Sequence, residues 1–224
     1  NRTWSYTAHL SENNADYYIT ATATDIVGNS ADASSQTKLI RTDRSAPSTT
    51  FTGCTGLTNS SASSVSSIAE NVTYYAKGSY TVSGTITEAN YNRTKVTITA
   101  KKDDVDVTGE ALKSLQSSLA TSLTSDDDKA WSFTGINGTG SYEYNLEIED
   151  KAGNKATYKI LVVFDNTLPE ITTANVASYE KTTYYEFSGT ASDANFLNAN
   201  AVLYKDNVAT EQTSVIEVDT TNHS

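Results

Sequence analysis

Between Tyr80 and Phe164 the chain alternates between apolar and polar positions. Tyr80, Val82, Gly84 and Ile86 are interleaved with polar residues, and so are Val96, Ile98 and Ala100. Tyr142, Tyr144, Leu146 and Ile148 continue the pattern, and Tyr158, Ile160, Val162 and Phe164 resume it after a short break. A period of two sends successive side chains to opposite faces of a strand, so each run has one face for a core and one for water. Runs of this kind separated by turn residues predict an antiparallel sandwich. One stretch departs from the pattern. GEALKSLQSSLATSL spaces Leu112, Leu115, Leu119 and Leu123 by three and four residues, with no Pro or internal Gly, which predicts an amphipathic helix. It reads as a helical crossover between two sheets, packed on the core; a helix that binds a partner is the other reading.

The break in the alternation is itself patterned. In IEDKAGNKATYKI, Ile148 to Ile160, two strands are hinged on Asp150-Lys151-Ala152-Gly153-Asn154. Gly153 and Asn154 both tolerate the positive φ of a tight hairpin, and Asp150 can accept the amides of its own turn. A buried tyrosine on such a strand is expected to send its hydroxyl to a backbone group. TDIVGNSA at Thr24 to Ala31 nearly copies the hinge, and WSYT at Trp4 recurs as WSFT at Trp131. DRSAP (Asp43 to Pro47) returns as DNTLP (Asp165 to Pro169), and YTVSGTITEANY (Tyr80 to Tyr91) returns as YEFSGTASDANF (Tyr185 to Phe196). Repetition of this kind marks a tandem array. The matches divide the chain into the C-terminal half of one repeat (1–46), a complete repeat (47–166) and the N-terminal half of the next (167–224). A Ser-rich insertion, LTNSSASSVSSIAENV, distinguishes the complete repeat.

In this order the motifs, SGT with E/D-A-N, then W-S-F-T, then Tyr-x-Tyr with D-x-A-G-N, then D-x-x-x-P, resemble the bacterial immunoglobulin-like (Big-type) tandem repeat domains of surface and secreted proteins. The likeness spans the whole chain once half repeats are allowed. It implies an all-β, immunoglobulin-like antiparallel sandwich with one short amphipathic helix inserted in the complete unit. It also implies a role as stalk, spacer or adhesive module and no catalysis. The Ser-rich insertion and the Leu-rich helix depart from the shortest members of such families.

Charge narrows the partners. Sixteen Lys and Arg against 27 Asp and Glu leave a net charge of −11, which repels nucleic acid and anionic lipid and favours hard cations. No apolar run is long enough to span a membrane. Cys54 is the single cysteine, so neither an internal disulfide nor a cysteine-based zinc site can form. The two histidines, His9 and His223, lie near the termini, and no nucleophile elbow, phosphate loop or His-x-x-x-His pair is present. The chain is therefore read as a non-enzyme. It lacks Met altogether and opens on NRTWSY, which reads as a piece of a larger protein.

Calcium is the cofactor the acidic positions suggest. In an immunoglobulin-type sandwich the incoming linker, the loop after the second strand and the final hairpin share one pole. That brings together Asp43, Glu88 and Asp150 in the complete unit, and Asp165 with Asp193 in the next. Calcium takes six to eight oxygens, and two or three carboxylates with carbonyls and water suffice; an ion there would stiffen the joint. On the alternative reading Asp43 and Asp165 cap linker turns and Asp150 caps its hairpin. SDDDK (Ser125 to Lys129) reads as a solvated turn. The aromatic pair Tyr74-Tyr75, taken as exposed, is the candidate for stacking on glycans, with Tyr184-Tyr185 as its counterpart. Asn-x-Ser/Thr sequons at Asn1, Asn59, Asn71, Asn92, Asn137 and Asn222 are expected to stay bare in a bacterial protein.

The function expected is that of a non-catalytic structural or adhesive module, extracellular or at the bacterial cell surface, acting as stalk or spacer. Its main partners are neighbouring repeats of the same chain. The alternatives are a module that binds glycan or host protein and an accessory domain of a secreted glycosidase. Unpaired edges in the two half repeats are expected to complement one another between chains.

Overall fold

The computed structural model describes residues 3–32, 38–173 and 189–215. The alternating runs form strands, and the protein is all-β apart from a single long helix among the described residues. At its centre lie β5 (Ser48–Thr55), β6 (Thr73–Ala76), β7 (Thr81–Thr87), β8 (Val96–Lys102), β9 (Val105–Asp106), α1 (Gly109–Ser122), β10 (Ala130–Thr134), β11 (Gly140–Glu149) and β12 (Lys155–Phe164). They make two sheets. One has the order β10-β7-β5, the other β6-β12-β11-β8-β9. All pairings are antiparallel except β6 with β12, which is parallel.

The inward positions of both sheets share one core. Val82, Ile86, Trp131 and Phe133 come from the first sheet, and Ile98, Tyr144, Leu146, Ile148, Ile160 and Val162 from the second. Rings tie the layers together: Phe51 meets Trp131 edge-on at 5.8 Å, Trp131 stacks on Phe133 at 6.2 Å, and Phe133 reaches Tyr144 at 5.3 Å. Gly84, the glycine of SGT, is required by this packing. A Cβ there would lie 2.5 Å from both the Thr50 carbonyl oxygen and the Trp131 ring, closer than real Cβ contacts come.

Tyr142 and Tyr144 meet the expectation for polar groups buried in such a core, whereas the buried Tyr91 hydroxyl has no hydrogen-bond partner among the described residues. Tyr142 donates its hydroxyl to the Gly138 carbonyl at 2.9 Å. The Tyr144 hydroxyl accepts the Ile136 amide at 3.0 Å and shares a 2.5 Å bond with the Tyr80 hydroxyl.

Helix α1 lies where the leucine spacing puts it, and it carries the chain from β9 in one sheet to β10 in the other. Leu115, Leu119 and Leu123 are buried and Leu112 packs at their edge, as expected of a crossover seated on the core. The Ser-rich insertion is not a free loop. Leu57 and Ile68 at its ends are buried in the same core.

Short strands flank this body. Before it, β1 (Ala15–Ile19) pairs with β4 (Lys38–Thr42), and β2 (Thr22–Thr24) pairs with β3 (Ser30–Asp32). After it, β13 (Glu170–Thr173) pairs with β14 (Gly189–Ser192), and β15 (Asn200–Lys205) with β16 (Val208–Val215). The β4-to-β5 linker carries Asp43 and the β12-to-β13 linker carries Asp165.

Candidate functional site

The site begins with the β11-β12 hairpin. Glu149 pairs with Lys155, which leaves the five residues Asp150 to Asn154 to make the turn. Asp150 is its organiser. Its Oδ1 accepts the amides of Ala152 at 2.8 Å and Asn154 at 2.9 Å, and its Oδ2 accepts the side-chain amide of Asn154 at 2.8 Å. Backbone bonds from Asp150 to Asn154 (3.0 Å) and from Gly153 to Asp150 (3.3 Å) close the loop. The β2-β3 hairpin repeats each of these contacts. Asp25 Oδ1 accepts from Val27 at 3.0 Å and Asn29 at 2.8 Å, and Oδ2 accepts from the Asn29 side chain at 2.7 Å.

One expectation is corrected here. Gly153 and Gly28 sit at φ +93° and +90°, but neither Asn154 nor Asn29 adopts a positive φ. Their value lies in the side chain, which closes the ring of bonds onto the aspartate, so glycine alone supplies the left-handed residue.

Three elements then bring carboxylates together at this pole. Asp43 comes from the linker, Glu88 from the turn after β7 and Asp150 from the hairpin; one oxygen of each lies within 4.8 Å of the others. Glu88 and Asp150 are buried and Asp43 is half-buried. Asn90 and Asn154 weave them together. Asn90 donates its amide N–H to Glu88 Oε1 at 2.8 Å and its Nδ2 to Asp43 Oδ2 at 2.6 Å. Asn154 Nδ2 also reaches the Asp43 carbonyl at 3.2 Å, and the Lys151 amide donates to the Asn90 carbonyl at 2.9 Å. Lys129 is the nearby cation, but its ammonium donates to the Glu88 backbone carbonyl rather than to a carboxylate. Carboxylates gathered without a bonded cationic side chain suit a hard divalent cation, and calcium suits an all-oxygen set best.

The second linker repeats the first. Asp165 Oδ2 accepts from Asn195 Nδ2 at 2.6 Å, and Asp193 Oδ1 accepts the Asn195 amide at 2.7 Å. Asp165 Oδ1 accepts the Thr167 amide at 2.9 Å, just as Asp43 Oδ1 accepts that of Ser45 at 3.0 Å. The bonds from Thr167 and Asn195 hold the Asp165 carboxyl below its usual range. Among the described residues, no third carboxylate joins Asp165 and Asp193. The linker aspartates therefore do cap turns, and each also receives an asparagine side chain from a later loop, Asn90 or Asn195.

Other candidates fare differently. Tyr74 is not exposed. It packs in the core and its hydroxyl accepts the Ala69 amide at 2.9 Å, because the alternation of β6 turns it inward and leaves Tyr75 half-buried on the other face. An aromatic platform of two adjacent rings is thus absent at this position; Tyr184 and Tyr185 lie outside the described residues. The SDDDK turn is solvated, yet Asp126 accepts the Arg93 amide at 3.1 Å and pairs with Lys151 at 3.2 Å, bracing the same pole. These two partners, the Arg93 amide first, lower its pKa. Asn59 accepts the amides of Ser61 and Ser63, and Asn92 caps the turn at Arg93–Lys95. His9 is exposed, and His223 lies outside the described residues.

Sequence reasoning singled out the acids and missed the amides. Asn90, Asn154 and Asn195 hold the joints, and the signal was present in the repeats as the final letter of TEAN and SDAN and of KAGN. No family model matches the chain, and no curated protein matches it.

Proposed function

We propose that the protein is a stretch of a tandem array of immunoglobulin-like modules, acting as a non-catalytic stalk or spacer in a bacterial extracellular or cell-surface protein. The observation that carries this reading is the repeated joint. Asp43 with Asn90 and Asp165 with Asn195 make the same contact at the same 2.6 Å, each between a linker and the loop that follows it. A joint made the same way twice gives successive modules a constant relation, which is what a spacer requires. Sheet order supports the immunoglobulin-like assignment. With β5, β7, β8, β10, β11 and β12 as strands A, B, C, E, F and G, the sheets order as E-B-A and G-F-C, as such folds do. Strand D has no counterpart, and α1 stands in its place.

The first joint adds calcium to the proposal. Asp43, Glu88 and Asp150 would supply carboxylate oxygens, with backbone carbonyls and water completing the shell. Bound there, the ion would tie linker, loop and hairpin together and remove freedom from the joint. Differential scanning calorimetry with calcium and with chelator tests this part. Binding only to the folded state raises the melting temperature as calcium concentration rises. Glu88→Gln should abolish that rise and, by removing one of three crowded negative charges, stabilise the chelated protein. An unchanged melting temperature on adding chelator removes calcium from the account. Small-angle scattering tests the spacer itself: an extended particle of fixed shape supports it, and a broad distribution of shapes opposes it.

A further inference from the structure

Each outer edge of the two central sheets is covered or cut short, and one of them gives α1 a role. An exposed strand edge offers unpaired N–H and C=O groups to any other strand, so stable β-proteins cover or interrupt them. The β5 edge carries a register shift between Phe51 and Gly53, and the Ser-rich insertion covers it where the Cys54 amide donates to Ser66 at 3.0 Å. The same insertion covers β6, with Thr58 and Tyr75 exchanging two 2.9 Å backbone bonds. Strand β9 is only two residues long. That leaves β10, whose sequence AWSFT contains no charge, no proline and no bulge.

Here α1 takes over. The Ser132 amide donates to Ser122 Oγ at 2.9 Å, and the Thr134 amide donates to Ser118 Oγ at 3.1 Å. Each hydroxyl then passes its own hydrogen back to the helix, to the carbonyls of Leu119 and Leu115 at 2.7 Å. The match is geometric. Four residues of helix rise about 6.0 Å and two residues of strand about 6.7 Å, so serines at i and i+4 track alternate amides of a strand running the other way. At about 100° per residue, both serines fall on one side of the leucine stripe and Gln116 on the other. Gln116 Nε2 donates to the Ile98 carbonyl at 3.3 Å, on the open side of β8.

We propose that α1 is a strand substitute. It closes the gap between β10 and β8 with side-chain hydrogen bonds on both flanks, and its specific task is to deny the β10 edge to β10 of a second copy of this chain. The reading is independent of calcium and of the joints. The test replaces both serines. S118A/S122A leaves the leucine stripe intact but uncaps two strand amides, and sedimentation velocity should show concentration-dependent dimers where the parent is monomeric. Adding Thr134→Pro removes one of those amides from any new ladder, so the triple variant should return to monomer. S117A/T121A, on the outer face of the helix, serves as control and should stay monomeric. Where the double variant does not fold, hydrogen exchange on the single variants decides: S118A should speed exchange at Thr134 and S122A at Ser132, each at least tenfold, with β7 unchanged. A folded double variant that remains monomeric, dimers that persist with Thr134→Pro, or unchanged exchange in the single variants would overturn the proposal.

Discussion

Asn90 and Asp43 stand 47 positions apart, and the amide of one donates to the carboxylate of the other at 2.6 Å. This bond fastens the β4-to-β5 linker to the turn after β7. The same asparagine donates its backbone amide to Glu88 and accepts from the Lys151 amide, so one residue touches the linker, its own loop and the final hairpin. Asn154 approaches from the hairpin side and donates to Asp150 and to the Asp43 carbonyl.

The two asparagines should therefore differ in what they stabilise. Asn154→Ala removes bonds within the hairpin as well as the bond to the linker, and should lower global stability by about 1.5–3 kcal/mol, the range for hydrogen bonds to charged groups. Urea denaturation followed by tryptophan fluorescence reads this. Asn90→Ala should instead free the linker, seen as faster hydrogen exchange at the Ser45 amide, which Asp43 now holds at 3.0 Å. Loss of global stability in both variants with Ser45 still protected would contradict this division.

Two glycines offer a comparison of causes. A Cβ at Gly153 meets nothing within 4 Å, so Gly153→Ala costs only the strain of placing an L-residue at φ +93°, about 1 kcal/mol. A Cβ at Gly84 strikes a strand carbonyl and the Trp131 ring, and neither is a flexible chain end. Overpacking of this kind costs about 1–3 kcal/mol or more, so Gly84→Ala should be the worse of the pair in a melting experiment. It should also alter the near-ultraviolet signal of Trp131, which Gly153→Ala should leave alone.

The same comparison shows what was legible in the sequence. Periodicity placed the strands and the helix because a buried face imposes a spacing on apolar residues, and Val82, Ile98, Leu146 and Leu115 are buried where that spacing puts them. The acidic pole was legible because the immunoglobulin-type sandwich that the resemblance implies puts the linker with Asp43, the turn with Glu88 and the hairpin with Asp150 at one end. Tyr74 misled for the reason that identified the strands: two adjacent aromatics in a strand must face opposite ways, and one of them belongs to the core. The asparagines were hidden because an amide acts through donor geometry, which leaves no periodic trace. Ser118 and Ser122 were hidden likewise, since a small polar residue flanking a leucine stripe looks like ordinary solvated surface until the neighbouring strand is in place.

Burial should separate the tyrosines by their ionisation. Desolvation is the main reason the Tyr144 pKa is pushed up to about 12, and the same cause carries Tyr91 to about 12. Tyr80 is driven higher still by burial and by its Tyr144 partner. Because these groups hold their protons more tightly when folded, their contribution to stability is complete below the ordinary tyrosine value of about 10. It drains away as pH rises toward 12. A tyrosinate absorbance titration should show Tyr144 and Tyr91 ionising late, together with unfolding. Tyr144→Phe should remove one late component, and it should also leave the Ile136 amide without its acceptor.

Asp165 titrates in the opposite direction. Its carboxyl is held below the ordinary value of about 3.9 first by Thr167 and then by Asn195, so the folded form gives up its proton more readily than the unfolded chain does. Stability from this source is present above about pH 4 and is lost only as the solution is acidified through the lowered value. The second joint should therefore persist to a lower pH than an unbonded aspartate would permit. Nuclear magnetic resonance of the Asn195 side-chain amide reports this directly, because its Nδ2 lies 2.6 Å from Asp165 Oδ2. Its shift should hold through pH 4 and move only below it. Thr167→Val removes the side-chain hydroxyl but keeps the Thr167 backbone amide, so it should raise the pH at which the shift moves without dissolving the joint at neutral pH. A shift that moves at the same pH in both proteins would show that Asn195, rather than Thr167, sets the Asp165 charge.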